Sequence, residues 1–466
     1  MNTYAGYRSP YSWRYGTPEM RSIWSEVHKR RVWRRIWVTL ADVQSEYGLV
    51  SEGQVEELRA HMGEVDVQRA LEIEDKIHHD LMAELRVFAE QCPQAGGILH
   101  LGATSMDVKD NATVLLTREA LDLIQRRTRK VLRAFLNLVE QYAPMPTLGF
   151  THLQPAEPTT LGYRFAGYAQ DLWMDDQDLR RLRKRLRGKG FTGAVGTSAS
   201  YLKLLGAERT GELQDRISAK LGLPFFPVVN QVYPRRQDYQ VLTTLASIAA
   251  TLHKFAFDLR ILQSPSLGEW SEPFGEDQIG SSAMPFKRNP IHAEKMDSIA
   301  RLLAQFPRVA WDNAAFSLLE RTLDDSANRR SVLPEAFLIA DELLMVSEEV
   351  VRGLEIYREG ISQNLDAYGP FAATEPLLME LTKKGADRQK MHERLRQHAL
   401  QAWAAVQKGE PNPLVDLILE DEVLRTFLSR ETLREVMESE GYVGDAPQRA
   451  MKLVSQVRSE LSERET

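Results

Sequence analysis

Gly280-Ser281-Ser282-Ala283-Met284-Pro285-Phe286-Lys287-Arg288-Asn289-Pro290 is a short polar run, bounded by glycine and proline, between two long helical patterns. Ahead of it, Ser264 to Gln278 carries Pro265, Gly268, Pro273, Gly275 and several acids. That segment has neither helix nor strand period and reads as a mobile connection. Behind it, Asn289 is a good N-cap and Pro290 a good first helical residue, so a helix is expected to begin there. Two hydroxyls, a lysine and a helix N-terminus thus meet at the end of a lid-like loop on a helical scaffold, where chemistry tends to sit. The plainer alternative is that the serines are turn residues and Lys287 a solvated charge.

Working outward, the chain reads as nearly all α. An irregular aromatic arm, Thr3 to Thr17, precedes a helical pattern that Pro18 opens and Gly48 closes. Trp33 and Trp37 share one face of it at i, i+4, as core residues do. The basic run Lys29-Arg30-Arg31 with Arg34-Arg35 interleaves with Val32, Trp33, Ile36 and Trp37, and is read as the solvated side of that helix rather than a nucleic-acid patch. Long helical patterns then cover Asn111 to about Tyr142, a stretch ending near Arg187, and about Arg236 to Leu262. Further ones start at Pro290 and near Asn328. After Gly360 the helices shorten again. Three parts are expected: an N-terminal helical domain (1–110), a central bundle of long helices with the polar loop (111–358) and a C-terminal helical domain (359–466). Helices this long need partners to cover their apolar stripes, which points to a homo-oligomer.

Composition narrows the classes. The 466 residues are 43% hydrophobic and 27% charged, ordinary for a globular protein. A formal net charge of −6 argues against a general nucleic-acid partner. Cys92 is the only cysteine, so no intramolecular disulfide or thiolate metal cluster can form. No signal-peptide-like core or membrane-length apolar run is evident, so no membrane partner is expected and the cytoplasm is the expected compartment.

Other motifs are best read by what they lack. His78 and His79 are adjacent and point about 100° apart on a helix, unlike the i, i+4 pair of a zincin, so no metal site is expected. Gly96 to Asn111 is Gly-rich but lacks a following Gly-Lys-Ser/Thr, and looks like a hydroxyl-presenting turn before a helix. Gly190, Gly193 and Gly196 do not make a dinucleotide fingerprint. The basic cluster Arg180 to Lys189 follows Asp171, Asp175, Asp176 and Asp178, an arrangement that suggests pairing along a helix.

The polar run resembles the signature loop of the fumarase/aspartase superfamily, Gly-Ser-Ser-x-x-Pro-x-Lys-x-Asn-Pro, with every fixed position filled. Four further segments are similar to the adenylosuccinate lyase family within it. They are Thr151-His152-Leu153-Gln154-Pro155-Ala156, Leu101-Gly102-Ala103-Thr104-Ser105, Tyr233-Pro234-Arg235 with Asp238, and Glu320-Arg321-Thr322-Leu323-Asp324-Asp325-Ser326-Ala327-Asn328-Arg329-Arg330. The last is the most discriminating, because a carboxymuconate cycloisomerase, the nearest rival, can share the loop but handles no nucleotide.

The resemblance implies an all-α fold and cleavage of adenylosuccinate to AMP and fumarate, with parallel cleavage of the succinylated carboxamide ribotide SAICAR. Such β-elimination needs a base at carbon, fixed charge and donors at the carboxylate, and an acid facing the leaving nitrogen. By resemblance Ser281 is the base, His152 the general acid and Glu294 the residue that orients it; counting back from Lys287 favours Ser281 over Ser282. Lys287 and the helix N-terminus after Pro290 would favour an alkoxide, and histidine is the side chain that titrates near neutrality. Lys287 and Asn289 would hold the succinyl end with Thr104, Ser105 and Thr151. Arg14, Tyr15, Arg321, Ser326 and Arg330 would meet phosphate and ribose, with Gln231 and the His79-Asp80 pair nearby. The family further implies a homotetramer with shared active sites and no cofactor. Two departures from the animal-type branch stand out: His78 and Lys295, where arginine is common.

Overall fold

The computed structural model describes residues 5–462. Thr3 and Tyr4, at the start of the aromatic arm, and 463–466 of the charged C-terminus lie outside them. The long helices are Ser105–Tyr142, Leu161–Arg185, Arg236–Leu262 and Asp324–Arg352, and the shorter Ile291–Leu303 and Phe306–Ala315 stand between the last two. The first begins at Ser105 rather than Asn111, because the Asp107 carboxylate accepts the Thr104 amide at 2.8 Å and closes the preceding turn. The expected fourth helix breaks after Leu303, where Pro307 occupies the first turn of the next one. Among the described residues no helix is long and apolar enough to cross a membrane.

Two compact units make up the chain. One comprises residues up to 128, 175–250 and 298–345, the other 129–174, 251–297 and 346 onward. Five helices contribute residues to both.

In the first unit the N-terminal arm is fastened by backbone donors. Gly16 N donates to Glu342 at 2.8 Å and Thr17 N to Asp341 at 2.7 Å. Trp33 and Trp37 are buried as their spacing requires, and the Trp37 indole donates to His100 Nδ1. The solvated-face assignment of the basic run is overturned in part: Arg31 and Arg35 are exposed, but Arg30 is 1% and Arg34 0% exposed. Both grip the buried carboxylate of Glu84, with donor distances of 3.0 and 2.6 Å. Burying charge is tolerated only with such pairing.

The second unit holds the irregular segments. Pro146–Thr151 and Gln154–Thr160 form an antiparallel hairpin that strand alternation did not announce. Trp270–Ser271 pairs with Glu355–Ile356. Behind these, Trp270 stacks on Phe165 with centroids 4.9 Å apart. The buried Glu269 accepts from Arg164 and Asn364, each at 3.0 Å. The C-terminal helices close around Leu377, Leu381, Leu395 and Ile418. There Asp421 accepts from His398 at 2.6 Å and from Arg394. Burial alone would raise its carboxyl, but those partners and the Leu424 amide hold it down at about 2.

Candidate active site

The first unit encloses a cavity of about 530 Å³. Three segments that are distant in sequence converge on it. His79 and Asp80 start the helix Asp80–Gln91, Thr104 and Ser105 start the helix Ser105–Tyr142, and Arg321, Ser326 and Arg330 flank the start of Asp324–Arg352. Gln231 completes this set, its backbone N–H donating to Glu320 O at 3.3 Å.

His79 caps its helix: Nδ1 accepts the Met82 amide at 3.3 Å. The ring proton therefore lies on Nε2, which donates to Ser105 Oγ at 3.3 Å. Asp80 is the hub of the cavity. Its oxygens receive Lys109 Nζ at 2.9 and 2.8 Å, Arg330 at 2.9 Å and the Leu81 amide at 2.7 Å. Burial would raise this carboxyl, yet Lys109 and Arg330 outweigh it and keep the group below the usual carboxylate range. Burial pulls the Lys109 ammonium down, against the pull of Asp80.

Part of the cavity wall is a buried ionic lattice, of which Asp110, Arg321 and Arg329 line the cavity. Arg235 grips Asp110 with contacts of 3.1 and 3.0 Å and also donates to Asp325. Arg329 donates to Asp238 at 2.8 Å and to the Tyr233 hydroxyl at 2.7 Å, while Arg321 reaches Asp325 at 2.9 Å. Three arginines thus meet three aspartates. Burial pushes the Tyr233 phenol well up, so it stays a donor, and it donates to Asp238 at 2.6 Å. This lattice fixes the segment from Arg321 to Arg330, which explains in contacts why Tyr233, Arg235 and Asp238 stand in the sequence.

The groups expected to do the chemistry lie in the second unit. His152 and Leu153 form the two-residue turn of the hairpin, with φ of 55° and 59°. A two-residue turn of this kind needs left-handed residues at both positions, usually Asn or Gly. A leucine there costs about 1–2 kcal/mol. His152 is exposed, and among the described residues its ring has no hydrogen-bond partner. Thr151 sits beside it at the end of the strand. Strain of this kind persists where something else fixes the backbone.

In the signature loop, Ser281 is half-buried and its Oγ accepts the amides of Ala283 and Met284, at 3.4 and 3.1 Å. Two backbone donors on one hydroxyl oxygen favour its negative form. Asn289 Nδ2 donates to Gly280 O at 2.8 Å. Gly280 must be glycine, because a Cβ there would lie 2.0 Å from the Lys287 carbonyl oxygen. Lys287 is exposed, and the Glu294 carboxylate lies 3.8 Å from Arg260 rather than against His152.

The expected helix start needs correction. Asn289 holds the loop closed instead of capping, and the helix starts at Ile291. Its N-terminus is capped from afar by Glu272, 1% exposed, which accepts the amides of His292 at 3.1 Å and Ala293 at 2.9 Å. Burial pushes this carboxyl up against the pull of those amides. The Glu272 amide in turn donates to Gln263 Oε1, and Gln263 Nε2 reaches Arg288 O at 3.3 Å. One clasp therefore ties both ends of the loop.

The cavity gathers His79, Asp80, Thr104, Ser105, Gln231, Arg321, Ser326 and Arg330. Arg14 and Tyr15 belong to the same unit but not to its lining. Arg14 is exposed, its guanidinium 5.8 Å from the Trp13 ring and 5.9 Å from that of Tyr15. Sequence reasoning missed Lys109 and Glu272. Neither carried a motif: Lys109 stands four residues after Ser105 on a stretch that the sequence pattern leaves ahead of the helix, and Glu272 lies in the irregular segment before the loop.

Comparison with known proteins gives the class first. A family model described as Lyase matches residues 35–303, more than half of the chain. The crystal structure of 3-carboxy-cis,cis-muconate lactonizing enzyme from Pseudomonas putida superimposes with a TM-score of 0.86 at 25% identity, covering 96% of this chain and 98% of that one. The protein is thus a lyase with the all-α fumarase/aspartase-type fold. A second model, described as Adenylosuccinate lyase C-terminus, matches residues 370–453. Adenylosuccinate lyase of Saccharomyces cerevisiae is 39% identical over 462 residues, 97% of this chain and 95% of that one. The same enzyme of Schistosoma mansoni is 38% identical over 428 residues, 90% and 89% of the two chains. The chain belongs to the adenylosuccinate lyase family.

Proposed function

We propose that this lyase eliminates fumarate from adenylosuccinate to give AMP, and from SAICAR to give the corresponding carboxamide ribotide, in purine biosynthesis. The observation that carries the nucleotide half is the cavity, where Arg321, Arg330 and Ser326 converge with the Thr104-Ser105 turn. Arginine forks suit phosphate where no P-loop exists, and the volume is that of a small-molecule site.

In this mechanism Ser281, as alkoxide, takes a proton from the succinyl carbon beta to the nitrogen. The electron pair passes into the adjacent carboxylate and then returns to form the C=C bond of fumarate as the C–N bond breaks, its electron pair leaving with the nitrogen, to which His152 delivers a proton. Support for Ser281 over Ser282 comes from the two amide donors on its Oγ. Lys287, Asn289, Thr104, Ser105 and Thr151 hold the succinyl carboxylates. Arg14, Tyr15, Arg321, Ser326 and Arg330 hold phosphate and ribose, with Gln231, His79 and Asp80 beside them. Glu294 orients His152; within one chain His152 has no such partner among the described residues, which favours a homotetramer whose active sites draw on several subunits. Exposed Phe257, Trp311, Phe316, Leu319 and Leu323 offer apolar surface for that assembly. The three-part organisation into 1–110, 111–358 and 359–466 and the cytoplasm as compartment belong to the same proposal.

The test is fumarate release by the purified protein from adenylosuccinate, with argininosuccinate and a carboxymuconate lactone as controls. Release from adenylosuccinate alone is expected. Turnover of a control in its place would keep the fold and overturn the substrate.

A further inference from the structure

We propose that Lys109 is a further substrate-binding residue, the point charge that receives the phosphate of the nucleotide in the first unit's cavity. The proposal rests on the nucleotide reading above and deepens it.

Lys109 lines the cavity, with its side chain 23% exposed. It lies one helical turn after Ser105, on a helix that Asp107 and Lys189 anchor from behind. Its ammonium is directed onto Asp80, whose outer oxygen also takes Arg330. An ammonium has three donors; two are directed at Asp80, and one remains for the cavity.

Charge balance supports the same conclusion. Asp80 is a single carboxylate facing two cations, and it also receives the Leu81 amide at the N-terminus of its helix. His79 adds no charge, because its Nδ1 accepts the Met82 amide. Arg321 and Arg329 are matched by Asp325 and Asp238. The group of Asp80, Lys109 and Arg330 is therefore one positive charge in excess. An arriving dianion can share both cations with Asp80 without breaking the ion pairs of the lattice beside them. The geometry of a compact ammonium beside an arginine fork suits a phosphate monoester, with the arginine giving shape and the lysine charge.

The experiment is calorimetric binding of AMP, adenosine and succinate to wild-type, Lys109→Met and Lys109→Arg protein. A lost charge-assisted hydrogen bond should weaken AMP binding to Lys109→Met by about 10- to 100-fold. Adenosine and succinate should change by less than about twofold, and Lys109→Arg should restore most of the AMP affinity. Asp80 keeps Arg330 and the Leu81 amide in the variant, so its helix should stay capped. Equal losses for AMP and adenosine would assign Lys109 to the cavity's architecture and overturn the proposal. A loss confined to succinate would overturn it in favour of the carboxylate end, and unchanged AMP binding would overturn it outright. Binding is read without turnover, so a wild-type protein that bound AMP through Lys109 yet failed to cleave adenylosuccinate would refute the proposed reaction and leave the phosphate subsite standing.

Discussion

The cavity region and the loop-and-hairpin region are built on opposite principles. Around the cavity, these carboxylates are matched before a ligand arrives, with one positive charge left over at Asp80: Asp80 meets Lys109 and Arg330, Asp325 meets Arg235 and Arg321, and Asp238 meets Arg329. In the signature loop Ser282, Lys287 and Arg288 are exposed, and in the separate hairpin His152 sits on a strained turn without a ring partner among the described residues. A binding site gains from preorganised charge, because the ordering cost is met during folding. A site that must admit a substrate and then exclude water gains from groups that are completed only on closure or assembly. Under the proposed function, the contrast corresponds to recognition in one region and chemistry in the other.

That separation can be broken by mutation, and the largest effect should fall in the loop. Removing a general base costs about 10²–10⁴-fold in rate, so with Ser281 as the proposed base Ser281→Ala should lose turnover on that scale with AMP affinity unchanged, as rapid-mixing and binding measurements would show. Next comes the lattice. Arg329→Met leaves Asp238 buried without its cation, a defect worth about 3–5 kcal/mol. A lowered midpoint in urea should report it, with AMP binding weakened as well. If AMP binding survived intact, the lattice would not be what shapes the cavity.

A control outside both regions comes third. Asp421 sits in the C-terminal core with its carboxyl held at about 2. A depressed carboxyl stabilises the fold above the unfolded value, about 3.9, and that contribution is lost as pH falls toward 2. It is worth about 2 kcal/mol at neutral pH. Asp421→Asn should therefore flatten the acid limb of a stability-versus-pH curve while leaving AMP binding unchanged. The smallest effect is expected at the clasp. Glu272→Ala removes a helix cap worth about 1 kcal/mol. It should lower kcat several-fold by freeing the loop, without altering AMP affinity, and a pure loss of stability with normal kcat would show that the clasp is structural only.

Much of the fold was legible because long helices repeat their apolar positions, and Trp33 and Trp37 are buried as that period requires. The hairpin was not, because Pro146, Pro155 and Pro158 break the strand signal and its turn is His152-Leu153 rather than a pair containing glycine. Arg30 and Arg34 looked solvated because the charge that buries them, Glu84, lies far along the chain. Asn289 looked like a cap for the same reason: Glu272 does that work from across the loop, and no local pattern signals a distant carboxylate. The cavity was readable through its motifs, yet Lys109 carried no motif and became visible only when Asp80 was placed beside it.

The most direct test of separate recognition and chemistry crosses two variants with two readouts, AMP affinity by calorimetry and single-turnover fumarate release from saturating adenylosuccinate. Ser281→Ala should keep AMP affinity and lose release. Arg330→Ala should lose AMP affinity and, once saturated, release fumarate at close to the wild-type rate. If both variants lost both properties together, recognition and chemistry would not be separable in this protein, and the contrast drawn between its two regions would be wrong.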